Sequence, residues 1–200
     1  MGEEHYFSAD PSVPFAREPF TCSVWGRELR LTSGAGVFSR GHLDHATAVL
    51  LREVPPPEGG EVLDLGCGYG VIGLAIAAAS ARARVTGVDV NERALVLARE
   101  NAAALGVSDR FVALAPDQVD PAATYDEIWS NPPVRIGKQA LHELLLGWLP
   151  RLRPGGRAVL VVGKHLGADS LQRWLTDQSW PTTRLASAKG FRVLEVRRPR

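Results

Sequence analysis

The run Asp64-Leu65-Gly66-Cys67-Gly68-Tyr69-Gly70 sets three glycines at alternate positions directly after a short apolar stretch. Glycine lets a backbone turn tightly and come close to a ligand, because no Cβ stands in the way. Asp89 lies 19 residues beyond Gly70, at the end of the next apolar stretch. A carboxylate at that place can accept hydrogen bonds from both ribose hydroxyls of an adenosine. The combination suits an adenosine-bearing cofactor. A dinucleotide site requires G-x-G-x-x-G opening straight off a strand. Counted from Gly66, the sixth position is Val71; counted from Gly68, the letters fit through Gly70 and Gly73 but leave Gly66 and Cys67 as surplus loop.

The spacing that does fit, D-x-G-x-G-x-G, is the loop of S-adenosylmethionine (SAM) methyltransferases, where the glycines pack under the methionine and adenosine parts. Asp64, Gly66, Gly68, Gly70 and Asp89 are therefore the candidate cofactor residues. Ser130-Asn131-Pro132-Pro133-Val134-Arg135 separates the two cofactors. An amide or aromatic amino nitrogen is a poor nucleophile, since its lone pair is delocalised. The Asn131 side-chain carbonyl and a neighbouring backbone carbonyl can accept from both protons of such an NH₂ and aim its lone pair at an incoming methyl group. Two prolines fix φ and hold those acceptors rigid. A sulfonium methyl is already activated, so the reaction needs alignment and no metal. A nicotinamide oxidoreductase would leave this turn idle.

These loops need a frame. Glu61–Leu65, Arg84–Val88, Phe111–Leu114, Glu127–Ser130 and Arg157–Val162 read as short strands alternating with helical segments. Asn91 can cap a helix with Leu95, Ala98, Ala102 and Leu105 on its apolar face. Leu141, Leu144, Leu145, Trp148 and Leu152 mark another, ended by Pro154-Gly155-Gly156. Alternating βα units imply a mostly parallel sheet with helices on both faces. Two last strands, Thr182–Ala186 and Phe191–Val196, flank Lys189-Gly190 and imply one antiparallel strand at or near an edge. Before the break at Pro55-Pro56-Pro57-Glu58-Gly59-Gly60, a hairpin around Gly26 precedes a helix containing Leu43, Ala46, Leu50 and Val54. We read one domain over 1–200, with an amino-terminal hairpin and helix extension at 1–58 and the cofactor-binding core at 59–200.

Composition excludes several classes. The 200 residues are 45 % hydrophobic and 22 % charged, near globular averages, with net charge +1. Residues 1–100 carry 9 basic against 13 acidic side chains, and residues 101–200 carry 14 against 9, so a basic face for a nucleic acid is possible. Cys22 and Cys67 form no metal-binding pair and suggest no disulfide scaffold. The acidic start Met-Gly-Glu-Glu-His-Tyr is no signal peptide, and the apolar run Val71–Ala79 is far shorter than the ~20 residues that span a bilayer. A cytoplasmic protein without membrane or metal partners is expected.

The runs VLDLGCGYGVIG, GVDVNERAL, SNPPVRIGK, VLVVGKHLGADSL and KGFRVLEV, with GVFSRGHLDHAT (Gly36–Thr47) upstream, resemble the methyltransferase small domain family. The likeness covers residues 5–198 in the family's order, and its best-known members methylate guanine N2 in ribosomal RNA. It implies a seven-stranded SAM-methyltransferase (Rossmann-like) α/β fold, SAM as cofactor, and ribosomal RNA or the small ribosomal subunit as partner. By position it carries over Gly66, Gly68, Gly70 and Asp89 to the cofactor, Asp117 to its adenine, and Asn131, Pro132 and Pro133 to the amino-group clamp as the catalytic set. Two departures stand out. Val134 replaces the aromatic residue or histidine common after the two prolines, so Phe38, Tyr69 or Phe191 must supply any stacking. The fuller members also carry an additional amino-terminal domain of similar fold. Phe38, Val134, Arg135 and Lys138 are the candidate substrate residues, with a protein amide or small-molecule amine as the alternative acceptor. Lys164 and His165 stand at the same sheet edge. Arg197-Arg198-Pro199-Arg200 reads as a frayed basic end, and His5, Tyr6 and Phe7 are candidates to close over the site.

Overall fold

A computed structural model describes residues 16–199; His5, Tyr6, Phe7 and Arg200 lie outside the described residues. Strands β1 (Arg17–Val24) and β2 (Arg27–Gly34) form an antiparallel hairpin. Trp25 and Gly26 turn it with φ of 48° and 73°, the doubly positive geometry that matches the twist of paired strands. Helix α1 (His45–Glu53) follows, N-capped by Asp44, whose carboxylate accepts from the Thr47 N–H at 2.9 Å.

The core then alternates β3 (Gly60–Leu65), α2 (Val71–Ala79), β4 (Ala83–Val88), α3 (Glu92–Ala104), β5 (Phe111–Leu114), β6 (Tyr125–Ser130), α4 (Lys138–Trp148), β7 (Leu152–Gly163), α5 (Ala168–Asp177), β8 (Thr182–Ala188) and β9 (Phe191–Arg197). One seven-stranded sheet results, ordered β5-β4-β3-β6-β7-β9-β8. All strands run parallel except β9, which lies antiparallel between β7 and β8. This is the sheet the sequence predicts. Alternate side chains serve opposite faces, as pleating requires. Val62, Trp129, Val159 and Val161 face a cluster shared with α1, α2, α3 and the β1–β2 hairpin. Leu63, Ile128, Leu160 and Val162 face α4 and α5.

Two helices are shorter than the periodicity suggests: α1 starts only at His45, with Leu43 before its cap and Val54 as its C-cap, and α4 ends early. The expected helix through Leu152 stops at Trp148 and tightens into a 3-10 turn over Leu149–Arg151. Pro150 has no N–H to continue the ladder, and its ring would strike the carbonyl four residues back. Leu152 is instead a strand residue paired with Tyr125, and β7 continues through Pro154-Gly155-Gly156 with a register shift before Arg157 pairs with Glu127.

Sheet order decides where ligands gather. From β3 the chain moves outward to β4 and β5, then crosses back to place β6 on the other side of β3. A crevice opens at the carboxyl ends of the strands beside such a reversal. Among the described residues, no helix is long and apolar enough to cross a membrane.

Candidate active site

The carboxyl ends of β3 and β6 are joined directly: Ser130 Oγ donates to the Leu65 carbonyl at 2.6 Å. The glycine turn leaves from the first and the Asn-Pro-Pro turn from the second. Gly66, Gly68 and Gly70 have φ of 72°, 54° and 94°, a region that costs any side-chain-bearing residue about 1–2 kcal/mol. A Cβ built on Gly68 would meet nothing within 4 Å, and one on Gly66 only Pro133 Cδ at 3.9 Å. Both glycines thus face open space, and that space adjoins the proline turn. Gly73 has another role. Its Cβ would lie 2.7 Å from Phe111, so it permits α2 to press against the sheet rather than marking a dinucleotide loop.

Asp89 ends the adjacent strand, half-buried. One carboxylate oxygen accepts from Gly68 N at 2.8 Å and the other from Asn91 N at 2.9 Å. Each oxygen retains a lone pair for a ribose hydroxyl. Burial raises the Asp89 pKa against those backbone donors. Asn91 caps α3 by accepting from Arg93 N and Ala94 N, and donates to the Gly36 carbonyl at 2.7 Å. Asp117 stands exposed in a 3-10 turn after β5, at the same edge.

Asp64 lies beneath the turn, fully buried. One oxygen accepts from Gly73 N at 2.8 Å and the other has no protein partner. Burial pushes its pKa up to about 7; the Gly73 N–H opposes that shift and the Asp89 charge adds to it. Between the usual carboxylate range and about 7, the folded protein holds a proton that the unfolded chain has released, so this group's contribution to stability falls as pH rises through that window. In cofactor-free protein, Asp64→Asn is expected to remove that part of the decline in Tm between pH 5 and pH 7.5, measured by calorimetry.

At the other side, Asn131 is held by elements that precede the sheet. Its Nδ2 donates to Asp44 Oδ2 at 2.9 Å and to Thr47 Oγ1 at 3.1 Å. A carboxylate can only accept, so the amide orientation is set and Oδ1 is left as an acceptor. Pro133, at φ −74° and ψ 68°, folds an inverse γ-turn in which Val134 N donates to the Pro132 carbonyl at 2.8 Å. That carbonyl keeps one lone pair for a ligand. Asp44 and Thr47 were not singled out from sequence, although the spacing D-x-x-T before an apolar helix is a capping signal. Asp44→Ala is expected to cost about 1 kcal/mol of stability as a lost cap and to slow turnover about tenfold by freeing the Asn131 amide. Asp44→Asn, an equally good cap that keeps an acceptor, should restore most of kcat, whereas Asp44→Gly, which costs the cap only a few tenths of a kcal/mol, should leave turnover slowed, an outcome a cap defect alone would not predict.

The loop between β2 and α1 is pinned against the glycine turn. The Tyr69 hydroxyl reaches the carbonyls of Ser39 at 3.2 Å and His42 at 3.1 Å. Asn101, buried in α3, donates to the carbonyls of Thr32 and Tyr69 and accepts from Thr32 N. Tyr69 is therefore withdrawn as a stacking residue. It is buried, packed edge-on against Phe20 at 5.9 Å, and spends its hydroxyl on that loop. Phe38 is 46 % exposed on the loop, and Phe191 is half-buried beside Gly163 at the end of β7. Val134 is half-buried against the α4–α5 cluster. Of Arg135 only the backbone is described, in the 3-10 turn after the prolines; Lys138 starts α4 and is exposed. Lys164, His165 and Leu166 follow β7, exposed at the same edge. Both cysteines are free.

The residues therefore fit a cationic adenosyl donor: two glycines facing open space, a ribose-competent carboxylate, and a second buried carboxylate with an unpaired oxygen. A match to the methyltransferase small domain covers residues 28–195. The chain belongs to the methyltransferase small domain family. YbxB of Bacillus subtilis, an uncharacterized protein, is 32 % identical over 199 residues, 98 % of each chain. Ribosomal RNA small subunit methyltransferase C of Pseudomonas aeruginosa is 33 % identical over 195 residues, covering 95 % of this chain and 57 % of its own. The solved 16S rRNA N2 G1207 methyltransferase (RsmC) of T. thermophilus, in complex with AdoMet and guanosine, superposes with a TM-score of 0.80 at 27 % identity, over 94 % of this chain and 52 % of that one. The chain thus spans little more than half the length of these methyltransferase C relatives. A methyltransferase small domain protein uses S-adenosylmethionine, and the carboxyl edge of β3 and β4 is where the residues present would hold it.

Proposed function

We propose that this SAM-dependent methyltransferase methylates the exocyclic N2 amino group of a guanine in ribosomal RNA. The observation that carries the proposal is the Asn131 amide, whose NH₂ is taken by Asp44 and Thr47 and whose Oδ1 remains as an acceptor beside the glycine turn. In this reading Oδ1 and the free lone pair of the Pro132 carbonyl accept from the two amino protons, which aims the nitrogen lone pair toward the donor. The bound donor supplies a methyl group activated by its sulfonium. Nitrogen forms the new C–N bond as the S–C bond breaks, and the surplus proton leaves for solvent. Gly66, Gly68, Gly70 and Asp89 seat the donor, Asp117 lies on its adenine side, and Phe38, Arg135 and Lys138 contact the acceptor. The segment 16–58 acts as part of the same unit, because the start of α1 carries the groups that orient Asn131.

A second reading keeps the chemistry and replaces RNA by a protein amide or a small-molecule amine. The aliphatic Val134 after the two prolines favours it, since no ring stands there to stack on a base. Labelled-methyl SAM offered with unmodified ribosomal RNA, naked and in assembled small subunits, separates the two after digestion to nucleosides. Label in N2-methylguanosine is the expected result. Absence of label from every nucleoside, with SAM still bound, would reject the RNA reading.

A further inference from the structure

The chain contains 20 arginines and only three lysines, Lys138, Lys164 and Lys189. Arginines form ion pairs across the fold, among them Arg17–Glu100, Arg153–Asp126 and Arg157–Glu127. None of the three lysines joins an ion pair among the described residues, and all three are exposed. They also share one place. Lys138 opens α4 just after the Asn-Pro-Pro turn, Lys164 directly follows β7, and Lys189 turns the β8–β9 hairpin. That hairpin reaches the same sheet edge, because Phe191 pairs with Gly163 at the end of β7 and Lys164 N donates to the Gly190 carbonyl at 2.8 Å.

The edge is therefore electrically divided. The β3–β4–β5 half presents Asp89 and Asp117, which suits a donor that is a cation. The β6–β7–β9 half presents the three lysines, with Ile136 two residues before Lys138 and Leu166 two residues after Lys164 exposed at 37 % and 56 %. Arginine is the better residue for a fixed planar pair, whereas lysine is a mobile point charge that serves phosphates of variable position. We propose that Lys138, Lys164 and Lys189 form the track that holds the phosphates of a single-stranded RNA segment leading into the acceptor site. This rests on the RNA reading above and adds the surface and direction of approach.

Counterion release supplies the test, because each neutralised phosphate of a single strand contributes about −0.7 to the slope of log affinity against log salt. Binding of a labelled 12-nucleotide guanosine-containing RNA to the full chain, saturated with S-adenosylhomocysteine, is measured across a salt series. Lys138→Ala/Lys164→Ala/Lys189→Ala is expected to flatten the slope by about 2 and to weaken binding roughly a hundredfold near 0.1 M salt. The corresponding triple lysine-to-arginine variant should restore both, with affinity for the homocysteine product unchanged throughout. Arg27→Ala/Arg82→Ala/Arg84→Ala, three cations removed from the opposite side, should leave the slope as it was. A steep wild-type slope that survives the triple alanine variant would overturn the track while leaving the RNA reading intact. A wild type that shows no salt-dependent RNA binding, or from which an acidic peptide displaces RNA at the lysines, would overturn both.

Discussion

Asn131→Ala is expected to lower methyl transfer about a thousandfold while affinity for SAM stays within about threefold of wild type. The separation follows from geometry. Asn131 projects from the end of β6, and its polar contacts run to Asp44 and Thr47 rather than to the glycine turn. Truncation removes the Oδ1 acceptor and leaves the Gly68–Asp89 hydrogen bond untouched. Single-turnover rates and equilibrium dialysis of labelled SAM check the two halves of the statement. Loss of SAM affinity to the same degree would place Asn131 in the cofactor pocket and end its role as the amino-group clamp. Asn131→Asp should be no milder, because it sets a second carboxylate 2.9 Å from Asp44 and replaces a hydrogen bond by repulsion.

Asp89→Ala should produce the complementary defect, a rise in the SAM dissociation constant of about a hundredfold or more. Two hydrogen bonds from ribose hydroxyls to a carboxylate are worth about 1.5 kcal/mol each at the lower end, and about 3 kcal/mol together is roughly a hundred and fifty-fold in affinity. The substitution also removes the acceptor for Gly68 N, loosening the turn. Turnover at saturating SAM should return near wild type, so the loss appears in KM more than in kcat. A pH dependence accompanies it. Burial raises the Asp89 pKa, so protonation weakens SAM binding at a pH above the ordinary carboxylate range. Titration calorimetry at pH 5 and pH 8 reads that difference, and Asp89→Asn should flatten it. An unchanged dissociation constant in Asp89→Ala would remove this residue from the cofactor site.

The two halves of the site were unequally legible. The glycine turn and Asp89 could be read because their chemistry lies in short stretches whose letters follow strand ends directly. Strand alternation and the Asn91 cap were visible for the same reason, being local. The support of Asn131 was not, because Asp44 and Thr47 lie more than 80 residues away, and only the placement of α1 across the sheet brings them to it. Asn101, buried and bonded to both β2 and the glycine turn, looked in sequence like any polar residue on a helix. Tyr69 misled in the opposite sense. An aromatic inside a cofactor loop suggests contact with a ligand, yet the positive φ of its glycine neighbours turns it down into the core. The end of α4 was misplaced because Leu152 happens to continue the apolar spacing across Pro150.

The hairpin, the loop over Gly36–Thr47 and α1 therefore do more than precede a cofactor-binding sheet. They anchor its glycine turn through Tyr69 and Asn101 and fix the Asn131 amide. Domain organisation enters the chemistry here, since a fragment starting at the proline break would retain the donor loop and lose the groups that orient Asn131.

The most direct test is a crystal structure of the full chain with S-adenosylhomocysteine and guanosine. The ribose is expected on Asp89, guanine N2 within hydrogen-bond reach of Asn131 Oδ1, and the Asp44–Asn131 contact preserved. Guanosine bound away from the Asn-Pro-Pro turn, or an Asn131 amide rotated to offer its NH₂ to the ligand, would contradict this expectation.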